Sequence, residues 1–477
     1  MTAPAPAALP NSADRLLITG GVLVTMSADS AVIEGDLLIE HGRIAAIGVV
    51  SDAAARGVSR LRLDGDLVLP GFVQGHLHLG QTLFRGLGES RRLLRWLTER
   101  LWPLEAAHDE ESAYWSGLLG AAECLLAGTT TIQDIGIGPG FAGLQRAIEE
   151  SRLRGFVGPC LMDDGDGLPA GLAGDTEREL GAAQALGDEL EARARGAERH
   201  GRPGRLRFCL NPRFALSCSP ALWQGVRELA AARGWPVHTH ALEQVDEGER
   251  VRDRFGRDEI EYFDELGLLE GDVRIAHGVH LLPSHLQRVV GRTFSVCHCP
   301  GSNLKLGSGV ADLLALREAG VPVSLGADGA ACNNSLDPLA EARLAALLQK
   351  ERHGPERYSG LDALRLLTSE GAEAIGYGSL LGTLEVGKRA DLVVLSTQRP
   401  ELWPSPTPSW QSGLHGPVPD VHDLVVFAAS RASVRHVLVD GELLVEDGRI
   451  PHLDLAAIRQ QSRKALARVL ERANLRG

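Results

Sequence analysis

The chain has 477 residues, 44% hydrophobic and 23% charged, an ordinary globular composition with room for one large domain of roughly 300 residues plus a smaller one. A net charge of −13 without a long Lys/Arg run argues against nucleic-acid binding, because neutralising phosphates requires a basic footprint. No uncharged apolar run reaches the ~18 residues of a membrane span, and seven scattered cysteines, an odd number, argue against a disulfide framework and for a reducing cytoplasm.

In chain order, residues 1–14 read as a disordered Ala/Pro-rich tail without the basic start and apolar core of a signal peptide. Residues 15–70 read as short strands and turns, including Leu16–Gly21 and Asp36–Gly48, with glycine at the turns. The same pattern returns at Gly387–Leu395 and Val434–Arg449, where Asp440-Gly441 marks a tight turn. The two β-rich flanks, 15–70 and 382–450, are therefore expected to pair into one small β-sandwich domain.

Between them, over 71–381, strand-like and helix-like segments alternate as a parallel α/β fold requires. The strand candidates are Phe72–His78, Thr130–Asp134, Gly155–Leu161, Leu206–Asn211, Val237–His240, Arg274–His277, Phe294–His298 and Val323–Asp328. Eight such strands predict a (β/α)8 TIM-type barrel, whose functional residues lie at the C-terminal strand ends. Helices separate most of them; Ser219 is placed to cap one that starts at Pro220. Leu453–Asn474, within the terminal segment 451–477, reads as an amphipathic helix packed on the surface.

The strand ends carry the chemistry. His76 and His78 alternate on one strand and so face one side, an arrangement suited to a divalent metal. His240, His277 and Asp328 each sit at the C-terminal end of another short β-branched segment. Cys297-His298-Cys299 could be read as a thiolate site, but alternation puts the two sulfurs on one face and His298 on the other, and buried strand cysteines are commoner. His298 could line the pocket from the seventh strand. His238 and His280 read as satisfied core or loop histidines; Asn303, Lys305, Asn333 and Asn334 are candidates for turn caps or substrate contacts.

Several ordered motifs resemble the amidohydrolase superfamily, in the branch of cytosine deaminases and chlorohydrolases. They are Pro70-Gly71-Phe72 before His76-Leu77-His78, His240-Ala241-Leu242-Glu243, Ala276–Leu281, Ser302–Gly309 and Leu325–Asn334. The likeness runs from about Leu16 to about Gly448 and is similar to deaminases of 5'-deoxyadenosine, methylthioadenosine and S-adenosylhomocysteine. It implies a mononuclear site in which His76, His78, His240 and Asp328 hold zinc or iron, a donor set that ligand chemistry also favours. The metal would lower the pKa of its water to roughly 7. Glu243 would protonate the ring nitrogen, His277 would hydrogen-bond the nucleophile, and Asp328 would carry its proton to the leaving amine. No lysine follows the fourth strand candidate in a position to bridge a second metal, which also counts against hydantoinase-like hydrolysis of cyclic amides.

On substrate the resemblance divides. Glu105 stands where adenosine-type deaminases hold ribose hydroxyls with a glutamate; its rival reading is a helix-surface carboxylate. Pro212-Arg213-Phe214 looks like guanine deaminase, whose arginine and phenylalanine engage the purine with a glutamine in the place of Gln81, whereas the loop Asp328–Asn334 follows the adenosine type. The expectation is hydrolytic release of ammonia from a purine, an adenosine lacking a 5'-hydroxyl first, guanine or a triazine as alternatives. Substrate-binding candidates are Gln81, Glu105, Arg213, Phe214 and Asn303. The expected partner is this small molecule, in a homo-oligomer without nucleic acid or membrane. A non-catalytic binding scaffold is disfavoured by the intact set His76, His78, His240, Glu243, His277 and Asp328.

Overall fold

The computed structural model describes residues 15–199, 204–403 and 419–474. The expected tail, 1–14, and the last three residues of the terminal segment lie outside them.

Both β-rich flanks meet in one eight-stranded sheet. Leu392–Leu395 pairs antiparallel with Leu67–Pro70 on one side and with Val434–Val439 on the other, so the C-terminal flank adds directly to the N-terminal one. The long strand Arg15–Val24 turns a corner in this sheet. Its register breaks between Ile18 and Gly21, and Gly20 adopts φ +73°, a left-handed conformation that glycine enters without a Cβ penalty. Before the break it pairs with Ser59–Arg62; after it, with Leu67–Val68. Ile18, Leu23, Leu37, Ile39, Val68, Leu392 and Val394 pack together as the flanks' apolar core.

The central segment contains parallel strands in the expected order: Phe72–His78, Thr129–Asp134, Arg154–Val157, Leu206–Phe208, Val237–Ala241, Val273–His277, Phe294–His298 and Val323–Leu325. Three expected strands are interrupted. Cys160–Leu161 and Asn211–Pro212 continue the third and fourth after a break and pair with each other; Asp328–Gly329 continues the eighth. Each strand pairs in parallel with the next, a single bridge from Leu210 to Val237 joins the fourth to the fifth, and Asp328–Gly329 pairs with Leu77–His78 of the first. Residues 71–78, 129–134 and 237–241 are buried throughout, as parallel strands covered on both faces are.

The helix Pro220–Arg233 begins where its cap predicts, with the Ser219 hydroxyl accepting from the Leu222 N–H, and Trp223 is fully buried. The terminal helix Leu455–Ala473 lies along Glu110–Leu126: Arg472 pairs with Asp109 at 2.5 Å and Arg468 with Glu111 at 2.9 Å. Among the described residues no helix is long and apolar enough to cross a membrane, and all seven cysteines are buried and free.

Candidate metal centre and its surroundings

The strand Phe72–His78 ends with His76 and His78, and Val237–Ala241 carries His238 and His240 two residues apart, so each strand presents two imidazoles by simple alternation. Asp328 arrives from the continuation of the eighth strand. One donor atom from each of His76, His78, His240 and Asp328 lies within 4.8 Å of all the others. His78 Nε2 and His240 Nε2 are 3.0 Å apart; Asp328 Oδ1 is 3.3 Å from His76 Nε2 and 3.2 Å from His78 Nε2.

Hydrogen bonds behind the imidazoles decide which nitrogens face the centre. The Arg274 carbonyl, 2.9 Å from His238 Nδ1, can only accept, so His238 Nδ1 carries the proton and Nε2 accepts from His76 Nδ1–H at 2.8 Å. His76 Nε2, buried and without a hydrogen-bond partner, is thereby a free lone pair. By the same argument His240 donates from Nδ1 to the Arg213 carbonyl at 2.6 Å, and His277 from Nδ1 to Asn303 Oδ1 at 2.8 Å, leaving both Nε2 atoms as acceptors. Burial lowers the pKa of all four rings, His78 and His240 well below the ordinary histidine value, so they are neutral. Asp328 goes the other way. Burial raises its pKa, but its contacts with His76 first, then with His78 and His277, outweigh that and hold it well below the usual carboxylate range. Its Oδ2 also accepts from Ser302 at 2.6 Å. The unprotonated Nε2 atoms of His76 and His240 and the Asp328 carboxylate, with the His78 ring beside them, form a donor set that fits a borderline divalent ion.

Beside this tetrad stand Glu243 and His277, with Glu243 Oε2 3.4 Å from His277 Nε2 and Ser308 Oγ 3.4 Å from Glu243 Oε1. Burial, helped by the Asp328 charge, pushes Glu243 well above the ordinary glutamate value, which favours its protonated form. Leu242 (φ +54°), His277 (φ +74°) and Asp328 (φ +59°) all adopt left-handed backbone at strand ends, and non-glycine residues held there cluster at functional sites.

The candidate substrate contacts form a connected set. Glu105 is buried, so the surface-carboxylate reading does not hold: its Oε2 accepts from Arg213 Nη1 at 2.7 Å and its Oε1 from Gln81 Nε2 at 2.9 Å. Gln81 Nε2 is also 3.0 Å from His78 Nδ1. Phe214 lines the pocket with Leu93, Trp96, Leu97 and Leu306, an apolar wall facing the polar tetrad. Asn303 stands behind His277 with its Oδ1 engaged there. Lys305 and Asn334 both donate to Glu89, and Asn333 to the Ala327 carbonyl and Glu341, so these three tie loops together.

Sequence reasoning set His238 aside as a satisfied histidine and gave no role to Ser302, Ser308 or the wall Leu93, Trp96 and Leu97. The i, i+2 alternation that singled out His76 and His78 also relates His238 to His240, and i, i+3, i+4 spacing marks the three wall residues as one helix face. No sequence signal pairs Ser302 with Asp328.

The Amidohydrolase family matches residues 67–444. A 5-methylthioadenosine/S-adenosylhomocysteine deaminase of Symbiobacterium thermophilum is 35% identical over 462 residues, covering 96% of this chain and 99% of the relative. A 5'-deoxyadenosine deaminase of Methanopyrus kandleri is 33% identical over 455 residues, covering 94% and 97%. The crystal structure of an adenosine deaminase from Xanthomonas campestris with bound zinc superposes with a TM-score of 0.84 at 28% identity, covering 96% and 98%. Because the match takes in all the strands that bring His76, His78, His240, His277 and Asp328 together, sequence and geometry agree that the chain belongs to the amidohydrolase family.

Proposed function

We propose that this chain is a metal-dependent aminohydrolase that releases ammonia from an adenosine-type nucleoside, 5'-deoxyadenosine being the first candidate. The observation that carries the reading is the convergence of His76, His78, His240 and Asp328 beside the Glu243–His277 pair. His76, His78, His240 and Asp328 would hold one zinc or iron, which when bound supplies Lewis acidity that brings water within reach of deprotonation near neutral pH. Glu243 gives its carboxyl proton to the ring nitrogen beside the amino-bearing carbon. His277 Nε2 accepts a hydrogen bond from the attacking water and orients it. Asp328 takes up the water's proton and passes it to the departing amine, and as the carbonyl forms the proton of the added hydroxyl returns to Glu243, so the proton count closes and ammonia leaves. The largely apolar wall of Leu93, Trp96, Leu97, Phe214 and Leu306 excludes bulk water and suits a 5' position without a hydroxyl.

We infer that the parallel pairings over 71–381 close a (β/α)8 barrel and that 15–70 with 382–450 form a separate β-sandwich domain. The return of the eighth strand to the first and the corner in Arg15–Val24 support this.

A second reading, guanine, is favoured by the Arg213–Glu105 pair, because a carboxylate already engaged by arginine and Gln81 must share itself with a ribose diol. One panel separates the readings: ammonia release from 5'-deoxyadenosine, methylthioadenosine, adenosine, adenine, guanine and a hydroxytriazine. Nucleosides are expected to outrun free bases, with Glu105→Ala costing about 2 kcal/mol or more of transition-state stabilisation on them, the scale of lost hydrogen bonds to a charged group. Dominant guanine turnover with Arg213→Ala as the damaging change establishes the second reading, and activity on the triazine alone rejects both.

A further inference from the structure

Glu243 stands on a short turn, Ala241–Gln244, that leaves its strand through the left-handed Leu242. Three consecutive N–H groups of this turn are received by two fully buried glutamates. Leu242 N donates to Glu259 Oε1 at 3.4 Å; Glu243 N and Gln244 N donate to Glu247 Oε2 at 2.9 and 3.2 Å. On the other side Gln244 Nε2 donates to the Leu306 carbonyl at 2.9 Å and to Ser308 Oγ at 3.2 Å, which places the serine hydroxyl against Glu243 Oε1.

Ordinary helix capping accounts for Glu247, the third residue of Val245–Phe255 behind its cap Gln244. It does not account for Glu259, the first residue of a different helix that Asp258 already caps. Burying two carboxyl groups is costly unless their hydrogen bonds repay it, and here the bonds converge on one strained turn. Burial above all raises both groups, Glu247 to about 8 and Glu259 well above the ordinary glutamate value, which favours the neutral acid in each.

We propose that Glu247 and Glu259 are positioning residues for Glu243: together they fasten three successive N–H groups of a left-handed turn and so aim the Glu243 carboxyl between Ser308 and His277. The proposal rests on the reading of Glu243 as the proton carrier. Glutamine matches a neutral glutamic acid in shape, keeps the acceptor oxygen and puts an N–H where the O–H stands. Leucine fills a similar volume without the acceptor.

The test measures kcat and KM on 5'-deoxyadenosine with bound metal counted for each variant. Glu259→Gln and Glu247→Gln are expected within about threefold of the wild-type kcat, whereas Glu259→Leu and Glu247→Leu fall about tenfold or more with KM within about twofold and metal content unchanged. In a Glu243→Gln background, Glu259→Leu is expected to add no further loss, because the group it aims is gone. Should the leucine variants not fold, Glu259→Asp, which withdraws the acceptor by one methylene, is expected to show the same kcat loss. Near wild-type kcat in Glu259→Leu or Glu259→Asp, glutamine variants as damaged as leucine ones, or an equal loss in the Glu243→Gln background overturns the proposal. Undiminished turnover in Glu243→Gln alone instead strikes the reading of Glu243 itself.

Discussion

A buried imidazole is defined by what stands behind it. His76 presents a lone pair to the centre because His238 accepts its Nδ1 proton, and His238 accepts because the Arg274 carbonyl has claimed its own. The protein is expected to purify with about one zinc or iron per chain, and His238→Ala to weaken that metal roughly 10–100-fold, the usual effect of removing a hydrogen-bond partner behind a ligand. A chelator titration of both proteins checks this; equal metal retention would show that His238 only fills space. For Glu243 the expectation is different, since it holds a proton rather than the metal. Glu243→Gln should keep the fold and the metal while lowering kcat about a hundredfold or more, measured by ammonia release.

Elements are joined by a few buried polar contacts, and one of them titrates. His108 ties the helix Glu110–Leu126 to the turn Leu79–Phe84 just after the His76/His78 strand, with Nε2 2.9 Å from the Gly80 carbonyl and Nδ1 3.0 Å from Ser112 Oγ. Burial lowers its pKa from an ordinary 6.5 to about 4. Between these values the unfolded chain binds the proton and the folded chain does not, so stability is lost as pH falls from 6.5 towards 4. His108→Gln removes that titration. The wild type should lose more unfolding free energy than the variant across this window, by up to about 3 kcal/mol in denaturant titrations at the two ends. A parallel pH dependence would mean that His108 titrates alike in both states.

At the scale of the whole molecule, the flank sheet is locked to the central strands by buried charge. Arg154 donates to Asp391 at 2.8 Å and to Asp440 at 2.5 Å, and Arg205 reaches Asp440 at 3.0 Å and Glu442 at 2.8 Å. Burial alone would lower the Arg154 pKa, but the charges of Asp391 and Asp440 prevail and raise it, so the arginine stays charged. Arg154→Met strands two buried carboxylates and is expected to cost about 3–5 kcal/mol, seen as a lower midpoint in denaturant unfolding. A midpoint shift below about 1 kcal/mol would show that Arg205, with Arg389 whose Nη1 lies 3.6 Å from Asp440, suffices for Asp440.

What could be read from the chain alone was whatever depends on local spacing. Alternation placed His76 and His78 on one side of a strand, the Ser219-Pro220 pair started a helix where one is found, and apolar segments ending in His or Asp located the strand ends. Breaks inside the third, fourth and eighth strands escaped that reading because apolar runs continue through them; pairing with neighbours, not composition, decides where such a strand stops. The roles of Glu105 and Arg213 were equally beyond it. Read separately they point to different substrates, yet the fold brings residues 108 positions apart to 2.7 Å, where they form one ion pair. Likewise only packing could show that Glu247 and Glu259, ordinary helix glutamates in the sequence, are buried against the turn that carries Glu243. The physical reason is common to all three cases: hydrogen-bond and charge partners of a buried group are chosen by proximity in space, and nothing in the spacing of residues along the chain encodes that distance.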